Sequence, residues 1–184
     1  IRVTAPEGSI LNAARPSAVS ARHALGQMLP DVILGSLEQV MPEAVPAEGA
    51  SCIWNPVLMS TTHGEGNFSD TQFVINPIFN GGTGARAAKD GLSTTAFPSG
   101  VRTTPTEVNE ITSPLVVWRR EYLPGSGGAG RYRGGLGQIV EISHGEGAPF
   151  VVSKMFDRID HPARGRRGGG AGRPDARGSA EDPS

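Results

Sequence analysis

Apolar side chains recur at Val19, Leu25, Leu29, Val32, Ile33, Leu37, Val40 and Met41, a spacing that puts them on one face of an α-helix over 17–41. Ser17 suits its N-cap, although Pro16 before it can equally mark a turn. Pro30 lies inside the pattern and predicts a kink or a split, with Asp31 in the first turn of a second helix. Pro42 and Pro46 close the helical region. Ahead of it, residues 1–16 read as an extended piece with a turn at Pro6-Glu7-Gly8-Ser9. After it come short apolar runs bounded by Gly, Pro, Asn or Ser, predicting strands at 52–59, 71–76, 115–122, 136–143 and 150–156. The expected fold class is α+β, an N-terminal helical segment followed by a β-rich, loop-rich region. No large apolar residue follows Ala163. The expected division is one domain over 1–163 and an irregular Gly/Arg-rich tail over 164–184, mobile unless something binds it.

Composition sharpens this picture in two places. The 26 Gly and 15 Pro residues among 184 approach a low-complexity composition, but they cluster, and apolar runs separate the clusters. Net charge is -1, so no nucleic-acid or membrane surface is implied by global electrostatics. The single cysteine, Cys52, excludes an internal disulfide framework and fits a reducing, cytoplasmic setting. Flanked by Ile53 and Trp54, it reads as a buried, inert thiol rather than a nucleophile. His23, His63, His144 and His161 show no metal-ligand spacing, and only His63, in a polar Gly-containing loop, stands out. No apolar stretch reaches the length of a membrane span. The opening Ile1-Arg2-Val3 reads as a strand already under way, as in the middle of a larger polypeptide.

Candidate chemistry sits in the glycine clusters. Seven of the thirteen residues from Gly125 to Gly137 are glycine, and Arg131 and Arg133 flank Tyr132 among them. On an extended backbone the two arginines face one side. They either hold a carboxylate or phosphate or pair with a nearby Glu and pin the loop. A second cluster, Gly81-Gly-Thr-Gly-Ala-Arg86 with Lys89, Asp90 and Gly91, is a backbone cradle for an anion or polar substrate, or else a tight turn. It is neither a dinucleotide fingerprint nor a Walker loop. Glu107 and Glu110 follow Thr104 and Thr106 at near capping-box spacing, and are an acid/base pair or structural groups. Residues and spacing alone assign no reaction.

Five segments in order resemble the hydantoinase B/5-oxoprolinase family. They are Pro6-Glu-Gly-Ser-Ile-Leu-Asn12 with Pro16-Ser-Ala-Val19; Gly81 to Arg86 with Asp90 and Gly91; Ser99-Gly-Val-Arg-Thr-Thr-Pro-Thr-Glu107 with Glu110; Ser126 to Gly137; and Arg166-Arg-Gly-Gly-Gly-Ala-Gly-Arg173. The resemblance implies the C-terminal portion of a B-type subunit that works with an ATP-binding hydantoinase A-type subunit. The A part phosphorylates an amide or lactam oxygen, or a ketone in the acetone and acetophenone carboxylase branch, and the B part completes hydrolysis or carboxylation. It implies ATP and Mg on the partner, and a divalent metal (Zn, Mn or Fe) in an N-terminal half of the subunit, with no metal ligand in this chain and no assigned catalytic residue. A hydroxide on such a metal is a nucleophile at neutral pH.

For this chain the resemblance implies a substrate-pocket wall of Gly81, Gly82, Gly84, Arg86, Asp90, Arg131 and Arg133. It implies structural or interface roles for Glu107, Glu110, Ser126, Gly127, Gly128, Gly134 and Gly135, the two glutamates pairing with the arginines. The expected partners are the A-type subunit, the rest of the B-type subunit and a small-molecule substrate. One departure stands out: many members of the family this chain resembles have a Glu three residues before the first of the paired glycines, where this chain reads Asn76-Pro77-Ile78. If that Glu is chemical in the family, this member differs in substrate or has lost the activity. The rival reading is a non-catalytic structural or assembly module.

Overall fold

The structure is a computed structural model and describes residues 2–20, 22–51, 53–61 and 72–174. Cys52 and His63 lie outside the described residues, as do the ends of the strands expected at 52–59 and 71–76 and the last ten residues of the tail. The α+β expectation is corrected. The described residues hold two helices, α1 (Arg22–Leu37) and α2 (Thr106–Thr112), in a chain that is otherwise sheet and loop.

The helical region expected over 17–41 shrinks to α1. It starts after Ser17, so Ser17 caps nothing, and residues 17–20 carry no regular structure. Pro30 stays inside α1 without splitting it, although Pro30 cannot donate to the Gly26 carbonyl. Four of the five apolar positions inside α1, Leu25, Leu29, Ile33 and Leu37, are half-buried. The buried residues of α1 are Gln27 and Asp31, whereas Val32 is 65% exposed and Val19, Val40 and Met41 are exposed outside the helix. A polar network, described below, draws the helix inward on its polar side.

The strand region is cut finer than its apolar runs suggest. Asn55-Pro56 divides the first run into β1 (Ile53–Trp54) and β2 (Val57–Ser60), which enter different sheets. β1 pairs antiparallel with β4 (Phe79–Asn80), a strand at the start of a segment expected to be loop. β2 lies between β3 (Val74–Ile75) and β7 (Phe150–Ser153), antiparallel to both. β5 (Leu115–Tyr122) and β6 (Gln138–His144) form a two-stranded antiparallel ribbon with an irregularity between Val117 and Arg119.

Leu58, Phe73 and Leu115 form the buried apolar cluster, with Ile75, Ile142 and Phe150 packed against it. The cluster is small, and much of the buried set is polar: Gln27, Asp31, Glu48, Ser51, Asn55, Asn80 and Ser113. Hydrogen bonds and ion pairs therefore hold much of the buried set that apolar packing does not.

The Thr-x-x-Glu capping box does not form. Pro105 is the N-cap of α2 and no side chain caps it. Instead the Glu110 carboxylate accepts from the Val117 amide at 2.9 Å, occupying a donor on β5 beside the irregularity.

Leu115, 2% exposed, is the residue through which the ribbon joins the core. Leu115→Ala is expected to cost about 2–5 kcal/mol in a urea titration. Ile111→Ala, at a position 84% exposed, should change stability by less than about 0.5 kcal/mol.

Candidate functional site

The two glycine clusters meet. Gly91 N donates to Arg133 O at 2.8 Å, Gly135 N to Thr83 O at 2.9 Å and Thr94 N to Leu136 O at 2.9 Å. Arg133 N donates to Asp90 Oδ1 at 2.8 Å and Leu136 N to Ser93 Oγ at 3.0 Å. Glycine is required where these chains cross. A Cβ on Gly82 would lie 2.0 Å from Gly135 O, and one on Gly84 would lie 1.9 Å from Ala47 O. No side chain fits such gaps, so backbone packs directly on backbone.

This seam forms one wall of a cavity of about 420 Å³. A second wall comes from residues 42–50 with Trp54 and Phe79, and a third from 157–173. The stretch 164–174 carries no helix or strand, yet it is held on both sides. Gly170 N donates to Ala129 O at 2.7 Å and Arg173 N to Ser126 O at 3.0 Å. On the other side Arg166 pairs with Glu38 and donates Nε to Pro46 O at 2.8 Å, and Arg167 pairs with Glu43 at 2.7 Å. The condition attached to tail mobility, that nothing binds it, therefore fails for 164–174.

Sequence reading missed an ionic network on this side, in which Glu48 and Asp31 are buried, Arg158 is largely covered and Arg164 is exposed. Glu48 Oε1 accepts from Arg164 Nε at 2.9 Å and Nη2 at 2.6 Å, and Oε2 accepts from Arg158 Nη1 at 2.9 Å and Arg164 N at 3.0 Å. Arg158 Nη2 reaches Asp31 Oδ2 at 2.8 Å, and the Ser51 hydroxyl donates to the same oxygen. Burial alone would raise the Glu48 carboxyl, but the Arg164 and Arg158 hydrogen bonds outweigh it and hold it at about 2. Asp31 goes the other way: burial raises it more than Ser51 and Arg158 lower it. Burial likewise raises Asp157, next to Arg158. Ser51 (φ 45°) and Arg158 (φ 62°) both hold left-handed backbone conformations, a cost the network compensates.

The residues singled out in the sequence divide cleanly. Gly81, Gly82, Gly84, Arg86 and Arg131 line the cavity, as do Ser126, Gly127, Gly128, Gly134 and Gly135. Asp90 and Arg133 do not line it: Asp90 accepts from the Arg133 amide, and Arg133 contributes main chain to the seam. Glu107 and Glu110 lie on α2 outside the cavity, and neither forms an ion pair with Arg131 or Arg133 among the described residues. Arg86 donates Nε (3.0 Å) and Nη2 (2.7 Å) to the Asp90 carbonyl. The Arg131 guanidinium lies 5.7 Å from the centre of the Tyr132 ring. Trp54, Phe79 and Tyr132 add aromatic surface, with Trp54 stacked on Phe156 at 4.4 Å. Pro77 is fully buried, so this position has no room for a solvated carboxylate. Among the described residues no group of three or more His, Cys, Asp and Glu could hold a metal ion. No helix among them is long and apolar enough to cross a membrane.

Comparison with known proteins gives a consistent answer. The family model described as hydantoinase B/oxoprolinase matches residues 1–182. A putative D-/L-hydantoinase subunit of the B type, from Pseudomonas sp. (strain NS671), is 29% identical over 153 residues, covering 83% of this chain and 25% of the relative. The 5-oxoprolinase of Dictyostelium discoideum is 31% identical over 166 residues, covering 89% of this chain and 12% of the relative. Among solved structures, nucleotide-free acetone carboxylase, studied for ATP-dependent acetone carboxylation, matches with a TM-score of 0.50 and 27% identity. That match covers 63% of this chain and 15% of the carboxylase chain. The chain thus spans a quarter or less of each of these relatives.

Two measurements check the geometry. Gly84→Ala should lower stability by about 3 kcal/mol or more, because the backbone must move to admit the methyl group. Gly26→Ala, with nothing within 4 Å of the new methyl in α1, should raise it by roughly 0.5–1 kcal/mol. For Glu48, a folded pKa of about 2 against an ordinary 4.5 means stability present above pH 4.5 and lost as pH falls toward 2. Glu48→Gln should flatten that acid limb of the stability curve; an unchanged limb would refute the network.

Proposed function

The chain belongs to the hydantoinase B/oxoprolinase family, and from that premise we propose that it walls the substrate cavity of a B-type subunit. The whole enzyme hydrolyses a cyclic amide, such as hydantoin, 5-oxoproline or a similar lactam, together with an ATP-binding A-type partner. One observation carries the reading: the two family-typical glycine segments close on a single cavity of about 420 Å³. That size lies within the roughly 300–1,000 Å³ of small-molecule sites.

In this reading Trp54, Phe79 and Tyr132 bound the ring, the bare glycine backbone lets it approach closely, and Arg86 and Arg131 supply charge. The described residues offer no ligand set for a divalent metal, so the reading assigns metal, nucleotide and Mg to other polypeptide and routes no step through this chain. An unstrained amide carbon is a poor electrophile, and the partner's ATP would supply the activation. The work of this chain is then binding, orientation and exclusion of water from the activated ring.

A second reading, part of an ATP-dependent ketone carboxylase, is supported by the likeness to acetone carboxylase. The decisive assay uses a complete B-type subunit containing this region, with and without its A-type partner. Ring opening of hydantoin or 5-oxoproline is expected only with partner and ATP, and Tyr132→Ala should raise KM about ten-fold, equivalent to about 1.4 kcal/mol of binding. Turnover that needs hydrogencarbonate and a ketone would favour the carboxylase. Unaltered kinetics in Tyr132→Ala would remove the cavity from the reaction.

A further inference from the structure

The segment 126–137 changes character at a single peptide bond. From Arg133 to Gly137 every amide is engaged: by Asp90 Oδ1, Gly128 O, Thr83 O, Ser93 Oγ and Ser126 Oγ in turn. From Gly127 to Tyr132 no amide donates to any acceptor among the described residues, and all six of these residues line the cavity. One half of the segment anchors the wall. The other half, along the same cavity lining, leaves its donors unused by any protein acceptor among the described residues, with Ala129, Gly130 and Arg131 exposed.

Charge concentrates in the same place. The chain as a whole carries -1, and seven arginines line the cavity, answered by Glu43, Glu48 and Asp157 on the lining and by Asp31 and Glu38 behind it. Arg158, Arg164, Arg166 and Arg167 are tied to Asp31, Glu48, Glu38 and Glu43. Arg86 and Arg131 pair with no carboxylate among the described residues: Arg86 rests on a carbonyl and Arg131 on the Tyr132 ring. Two guanidinium groups without a carboxylate partner, on the lining of a cavity that also carries six amides without a protein acceptor, suit an anion with several acceptor oxygens.

We propose that the wall from Gly127 to Tyr132, with Arg131 and Arg86, is an oxyanion-binding subsite that takes a carboxylate or phosphoryl group. Its assignment as part of the substrate site rests on the cavity reading above; its binding of an anion does not. A neutral ring would leave these donors to water. The preferred ligand therefore carries a negative oxygen group, either a ring carboxylate or a phosphoryl group placed on the activated substrate.

The test is titration of the 184-residue chain with inorganic phosphate and, separately, acetate, followed residue by residue through amide chemical shifts. Saturable shifts are expected at the amides of 127–132, with binding weakened about ten-fold in Arg131→Gln and unchanged in Arg133→Gln. Both variants remove one charge, and unchanged shifts elsewhere verify the fold. Shifts with phosphate but not acetate assign the phosphoryl source, and shifts with both admit the carboxylate. Equal weakening in the two variants, or shifts confined to the arginines of 158–173, would overturn the subsite. If the anion binds here but no ring-opening assay responds, the subsite stands and the substrate-cavity reading falls.

Discussion

The site depends on direct contact between main chains without intervening side chains. Where Gly82 meets Gly135, and Gly84 meets Ala47, a methyl group would sit about 2 Å from a carbonyl oxygen, so only glycine permits the approach. Each crossing lets backbone hydrogen bonds, rather than apolar side chains, set the wall's position. This suits a region whose apolar cluster is small and whose buried residues are largely polar. The seam of this wall is thus built of peptide groups hydrogen-bonded to peptide groups.

The opposite wall is built from charge. Glu48 is buried and accepts four hydrogen bonds from Arg158 and Arg164, while Asp31 and Ser51 fix the far side of Arg158. Removing Arg158 would leave two buried carboxylates short of a partner, which is costly even where the intact set adds little net stability. This explains why α1 turns Asp31 inward. The tail joins the same network through Arg164 and Arg166 instead of through large apolar residues, of which it has none.

What the sequence made legible follows from these two walls. β5 and β6 were readable because their apolar and aromatic runs are long and cleanly bounded. The glycine clusters announced a special backbone, and the structure brings the two together at one cavity. The helix was legible at 22–37 but not its full burial, because Asp31 is drawn in by Arg158 and Ser51, partners that helical spacing does not show. The capping box failed because Glu110 found the Val117 amide across seven residues, a partner that local spacing does not display. Glu48 was invisible because it sits in a Pro- and Ala-rich stretch and gains meaning only from Arg158 and Arg164, more than a hundred residues away. Asp90 and Arg133 belonged to the right segments but serve the seam between them.

The division of labour inside one glycine segment is the claim on which cavity and subsite both stand. Residue-resolved amide hydrogen exchange measures it directly, because exchange reports whether a donor is engaged. Strong protection at 133–137 and fast exchange at 127–132 is the pattern expected of the free protein. Protection of both halves alike, or of 127–132 alone, would contradict the account.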